Sequence, residues 1–264
     1  MKARLRVALA VALAAAVRTG TAQQCERGVL PAYAHNDYEN VRPLTDALEL
    51  GFRGVEADVF LVDGTLRLGH DRKRASRNPT LETTYLAPLT QLVARCRALT
   101  RDSTPFLLTV ELKENSRQAF DSLAALLSRY PGLTARRRVT IVLVGWHPPA
   151  TELLRAGFRS AKIQIPIRTD VAPVLPDTHM VGLASLDYGK TMGRWWRTPA
   201  GRRKWLAAIR EQKRVAPYVP IRVYDLPARA DLYQELLGAG VDLLGTKELR
   251  RTREILIRDL PSLR

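Results

Sequence analysis

Along this chain, short and nearly continuous apolar runs alternate with stretches in which apolar residues return every third or fourth position. The first pattern is that of strands covered on both faces, the second that of helices with one buried side. Runs at 28–34, 53–60, 106–113, 139–144, 161–167, 180–186, 221–224 and 241–246 read as strands. Between them, 43–50, 88–99, 116–130, 149–156, 199–214, 229–237 and 248–258 read as helices. Local signals set several boundaries: Gly51 ends the first helix, Ser116 caps the third, Pro131-Gly132 stops it, and Pro199 opens another in its first turn. Asp63-Gly64 marks a turn before an extra extended piece ending at Gly69, whereas 72–87 lacks periodicity and reads as a long loop. Eight strands alternating with helices predict an α/β fold, a single-domain (β/α)8 TIM barrel. A doubly wound open sheet is the alternative, but the chain has no glycine-rich phosphate fingerprint to favour it.

In such barrels functional groups lie at the C-terminal ends of the strands. His35, Glu56, Asp58, Glu111, Lys113, His147, Asp187 and Tyr224 all fall near those ends. Within 53–60, RGVEADVF, side chains alternate between faces, so Glu56 and Asp58 project together and Val55, Ala57 and Val59 project the other way. Two adjacent carboxylates repel unless a cation or hydrogen-bond donors offset them, which a bound metal ion does. A half-buried strand with its polar face in water is the plainer alternative. His35 ends the preceding run and His70 ends the run after the turn, so two of the four histidines flank the acid pair. Strand 106–113 repeats the arrangement, with Thr109, Glu111 and Lys113 on one face; a Glu111–Lys113 salt bridge is the alternative to a shared pole with Glu56 and Asp58.

The series His35-Asn36, Glu39-Asn40, Glu56-x-Asp58, Asp63-Gly64 and His70-Asp71 resembles the glycerophosphodiester phosphodiesterases and related phospholipase-C-like phosphodiesterases. It is similar in particular to the bacterial and fungal branch related to altered-inheritance-of-mitochondria proteins, and the two-histidine, Glu-x-Asp core is shared more distantly with spider-venom sphingomyelinases D. The resemblance implies metal-dependent cleavage of a phosphodiester. One divalent cation, Mg²⁺ or Ca²⁺, would be held by Glu56, Asp58 and Glu111, with His35 and His70 as general acid and base in an unassigned order. Lys113, Asn36, Arg222 and Tyr224 would contact substrate. Some positions depart from the family pattern. Asn36 stands where the wider family has arginine, although the nearer branch also has asparagine there. Tyr224 follows Arg222 where the family has tryptophan, and Lys247 replaces an acid in 240–247. His147 has no counterpart and reads as structural or substrate-lining, while Asp187 and Tyr188 are pocket or helix-capping candidates.

Composition adds a compartment and a charge. Residues 1–22 have a basic start, an apolar run from Val7 to Val17 and small residues at Gly20 and Ala22, the pattern of a secretory signal peptide. The expected mature domain is 23–264, exported to a periplasm or secreted. Its two cysteines, Cys25 and Cys96, are free to pair in an oxidising compartment or to remain as buried thiols. The net charge of +16 is mostly arginine, scattered over 71–77, 136–138, 202–204 and 250–253. No nucleic-acid motif accompanies it, so a solvated basic surface, with peripheral contact to an anionic membrane as a second reading, is expected. The expected partner is a small phosphodiester or lipid-derived substrate; the sequence says nothing of oligomeric state. Two other functions fit the same residues: a phospholipase or sphingomyelinase D-like enzyme on intact lipids, and a non-catalytic anion-binding barrel.

Overall fold

The structure is a computed structural model, which describes residues 25, 27, 29–114, 116–134, 138–145, 161–169 and 180–260. The expected leader at 1–22, the helix at 149–156 and His147 lie outside the described residues. Among the described residues there are nine strands: β1 (Ala32–Ala34), β2 (Gly54–Val62), β3 (Thr65–Leu68), β4 (Phe106–Leu112), β5 (Val139–Gly145), β6 (Ala161–Pro166), β7 (Val181–Asp187), β8 (Ile221–Tyr224) and β9 (Leu243–Thr246). All but β3 pair in parallel in the order β1-β9-β8-β7-β6-β5-β4-β2, and Ala34 opposite Val55 joins β2 back to β1. That pairing closes the expected eight-stranded barrel.

Alternation along the strands divides the apolar residues into two sets. Tyr33, Leu107, Val142, Leu183 and Leu243 form one cluster that fills the barrel base. Their strand neighbours, including Val55, Ala57, Leu108, Val110 and Val223, join the larger cluster beneath the helices. Helices Ala87–Arg95, Arg117–Ser128, Pro199–Val215 and Ala230–Gly238 cover that outer face with Leu89, Phe120, Leu123, Ile209 and Leu236. The capping signals hold: Ser116 accepts from Ala119 N–H, and Thr198 accepts from Gly201 N–H with Pro199 in the first turn. No described helix is long and apolar enough to cross a membrane.

Above the apolar base the lumen turns polar. Gly54 opens the way, because a Cβ there would lie 2.4 Å from Cε2 of Tyr33; the missing side chain lets the tyrosine ring cross the lumen. The next level holds Glu56 opposite Thr109 and Arg222 opposite Ser185.

The stretch 72–87 is a correction. It contains helix Arg72–Ala75, capped by Asp71, and a helical turn Glu82–Leu86 that runs directly into Ala87–Arg95. Its periodicity is hidden because the first piece is a single turn and the second is wound more loosely than 3.6 residues per turn. Tyr85 and Leu86 are wholly buried there, so the segment is packed.

Cys25 and Cys96 are joined by a disulfide. It spans a sequence separation of 71, tying the entry to β1 to the end of Ala87–Arg95 and removing loop-closure entropy from the unfolded chain.

Candidate active site

β2 carries the centre. Glu56 and Asp58 face the lumen as alternation requires, and the parallel register sets Asp58 beside Glu111 of β4. One oxygen from each of Glu56, Asp58 and Glu111 lies within 4.8 Å of the others. Beyond Val59 the β2 strand also pairs with antiparallel β3, through a turn in which Asp63 and Gly64 both have positive φ, as a two-residue hairpin needs. The hairpin returns His70 to the level of the acids, fixed by Gly69 N–H donating to Asp58 O at 3.0 Å. His70 Nδ1 then lies 2.9 Å from Asp58 Oδ2.

Asp58 Oδ2 also accepts from Tyr38 OH at 2.9 Å and lies 3.5 Å from Lys113 Nζ. Lys113 donates to Glu111 Oε1 at 3.0 Å, so the salt bridge weighed from sequence is present, but inside the shared acidic pole. Burial alone would depress the Lys113 ammonium; Asp58 and Glu111 outweigh it and hold its pKa above the ordinary value. Burial, then the charges of Glu111 and Glu56, push Asp58 up to about 6. Asp58 Oδ1 and Glu56 Oε2 are buried without a hydrogen-bond partner among the described residues. An ionised oxygen in that state is costly. Three converging carboxylates, two with an orphaned oxygen, are the donor set of a hard divalent cation, so the residues fit one.

On the Glu56 side, His35 follows β1 with Nε2 3.5 Å from Glu56 Oε2 and its ring edge-on to Tyr224 at 5.2 Å. Burial, then the positive charges of Arg222 and Lys247, lower the His35 pKa to about 4. Arg222 is fully buried. Its guanidinium lies 4.7 Å from the ring centres of both Tyr33 and Tyr224. Nη2 donates to Glu56 Oε1 at 3.3 Å and to Gln164 Oε1 at 2.9 Å, and Nε donates to Ser185 Oγ at 3.3 Å. Glu56 is thereby held from below by a cation and faced from above by an imidazole.

The loop after β1 is pinned by Asp37, which is wholly buried. Its Oδ2 accepts from Leu44 N–H at 2.6 Å and from Tyr85 OH at 2.9 Å. The fixed loop keeps Asn36, buried at φ 51, in the left-handed region and Leu44 at a positive φ of 61. Burial raises the Asp37 pKa from 3.8 to about 6, so the folded protein binds this proton more tightly than the unfolded chain. The associated stability is complete below pH 4 and is lost as pH rises through about 6, roughly 3 kcal/mol in all. Asp58 titrates over the same range, so urea unfolding with chelator present should show a loss between about pH 4 and 6 that is larger in the wild type than in Asp37→Asn by about this amount; parallel pH profiles would contradict the assignment.

Lys247, which replaces an acid of the family pattern, donates to Glu39 at 3.0 Å and so links the loops after β9 and β1. Asp187 Oδ1 caps the turn Tyr188–Met192 by accepting from Lys190 N–H. Tyr188 packs edge-on against Trp196. Tyr38, Tyr33, Gln164 and Ser185 had not been singled out from sequence. Tyr33 was within reach, since it shares a strand face with His35, and Gln164, with Lys162, is polar inside a mostly apolar run.

Residues 23–105 match the family model of the AIM6-like phosphodiesterase domain. An altered inheritance of mitochondria protein 6 homolog from Arthroderma benhamiae is 33% identical over 89 residues, 31% of this chain and 27% of that protein; the chain thus spans about a quarter of that relative's length. Among solved structures, a glycerophosphodiester phosphodiesterase from Parabacteroides distasonis superposes with a TM-score of 0.59 at 16% identity, covering 89% of this chain and 99% of that one. An Oleispira antarctica phosphodiesterase in complex with the product sn-glycerol-3-phosphate gives 0.51 at 13% identity, over 86% and 97%. A tryptophan synthase complex from Pyrococcus furiosus also gives 0.51, so these superpositions speak for the barrel and not for its chemistry. The sequence resemblance is borne out where the motif lies: residues 23–105, which carry His35, Glu56, Asp58 and His70, match the AIM6-like phosphodiesterase domain, within a (β/α)8 barrel shared with glycerophosphodiester phosphodiesterases.

Proposed function

We propose that this chain is a phosphoric diester hydrolase that uses one divalent cation, Mg²⁺ or Ca²⁺, and acts on glycerophosphodiesters or related lipid-derived diesters. The observation that carries the reading is the convergence of Glu56, Asp58 and Glu111, with buried orphan oxygens, between two imidazoles at the barrel mouth. A cation bound there would polarise a phosphoryl oxygen and offset charge as the phosphorus centre becomes crowded. Lys113, between Asp58 and Glu111, brings a further positive charge to the same pole. His35 on the Glu56 side and His70 on the Asp58 side supply a base for the attacking hydroxyl or water and an acid for the departing oxygen. Hydrogen bonding of His70 Nδ1 to Asp58 leaves Nε2 for the proton. Arg222 acts beneath the reacting atoms: clamped between Tyr33 and Tyr224, it holds the Glu56 carboxylate in place. The disulfide Cys25–Cys96 supports an oxidising, exported location.

His35→Asn and His70→Asn test the two imidazole roles. An aryl diester such as bis(p-nitrophenyl) phosphate leaves without a proton, whereas a glycerophosphodiester leaves as an alkoxide that needs one. The variant lacking the acid should lose roughly 10²–10⁴-fold on glycerophosphodiesters and much less on the aryl diester, and the variant lacking the base should lose similarly on both. Near-wild-type turnover of glycerophosphodiesters by either variant would refute the two-imidazole scheme.

A further inference from the structure

We propose that the cleft between the ends of β6 and β7 and helix Pro199–Val215 receives the leaving group of the diester and selects one that carries negative charge of its own. The inference rests on the phosphodiesterase reading above and adds a substrate class to it. The cleft encloses about 920 Å³, room for a substituted polyol beyond the scissile phosphate. Its inner wall is Gln164, Ser185 and Tyr224, the residues that cage Arg222, and Tyr224 also touches His35. A group leaving the phosphorus can therefore enter the cleft directly from the acidic centre.

The charge on the outer wall sets the preference. Arg168, Lys190 and Lys204 line it, and Asp187 is the one acid among the described lining residues. Asp187 is occupied in part by the backbone N–H of Lys190. Buried Ile167, Leu186 and Trp205 form apolar stretches of wall, which strengthen the field of the cations over the cleft. Trp195, 55% exposed, stands in the lining. An exposed indole is also what a quaternary ammonium would seek. Here the Arg194 guanidinium already lies 5.8 Å from that ring's centre, and Asp187 is the one acid among the described lining residues to offset the cations. A choline-like group would meet the like charges of Lys190 and Lys204, whereas a phosphate or carboxylate would meet opposite charge.

The test compares kcat/KM of the cation-loaded full chain on glycerophosphoinositol 4-phosphate, glycerophosphoinositol and glycerophosphocholine, for wild type and a Lys190→Ala/Lys204→Ala double variant. The expected wild-type order is the one just given, and the double variant should lose roughly five- to tenfold on the phosphorylated diester relative to the choline diester, the scale of two exposed ion pairs. A choline preference in the wild type, or an equal loss on all three substrates, would overturn the proposal while leaving the phosphodiesterase reading intact. Absence of turnover on every diester by folded protein would instead remove the phosphodiesterase reading. Calorimetric binding of inositol 4-phosphate and of choline then decides the cleft by itself: tighter inositol phosphate binding that weakens in the double variant supports it, and tighter choline binding or no change in the variant overturns it.

Discussion

Glu56→Gln is expected to lower phosphodiester turnover by roughly 10³-fold or more and to weaken divalent-cation binding at least tenfold. The substitution keeps the shape and one acceptor for Arg222, so it changes little but charge. Glu56 is one of three converging carboxylates, and its Oε2 is buried without a hydrogen-bond partner among the described residues. Losing its charge also leaves Arg222 with neutral acceptors alone, the amide oxygen at position 56, Gln164 and Ser185. Steady-state kinetics at saturating cation and calorimetry of cation binding read the two effects separately. A loss below tenfold in turnover would mean that Glu56 is a structural acid and that the chemistry lies elsewhere.

The second large effect is on stability. Arg222→Met keeps most of the volume between Tyr33 and Tyr224 but removes the cation beneath Glu56. Replacing both partners of a buried ion pair by apolar groups is often neutral, but removing one strands the other, at about 3–5 kcal/mol. Urea unfolding at neutral pH with chelator present should show a destabilisation of that size. Added divalent cation should recover part of it, because a cation among the carboxylates offsets the stranded Glu56 charge. A change below about 1 kcal/mol would show that Glu56 is not held charged by Arg222.

Much of this arrangement was legible because a strand has a period of two. Glu56 and Asp58 on one face, and Thr109, Glu111 and Lys113 on another, follow from alternation alone, and the parallel pairing of β2 with β4 then brings the two faces together. His70 was legible as a strand-end histidine, yet its contact with Asp58 depends on the tight Asp63-Gly64 hairpin and its register. The role of Arg222 was less visible. A sequence marks an arginine in a short strand but not that Tyr33, Gln164 and Ser185, from three other strands, converge on it, since such contacts depend on barrel closure and stagger. Asp37 reads as one polar residue in a polar loop. Only burial by Tyr85, nearly fifty residues on, turns it into the pin of that loop. The helical turns within 72–87 were missed because each is too short for a period to register.

The most direct measurement of the central claim is hydrolysis of glycerophosphodiesters and bis(p-nitrophenyl) phosphate by metal-stripped wild-type protein, titrated with Mg²⁺ and with Ca²⁺. The predicted result is negligible turnover in chelator, saturable restoration by at least one of the two cations, and no restoration in Glu56→Gln at the same concentrations. Full turnover in chelator, or equal restoration in Glu56→Gln, would contradict a cation-dependent hydrolase built on Glu56, Asp58 and Glu111.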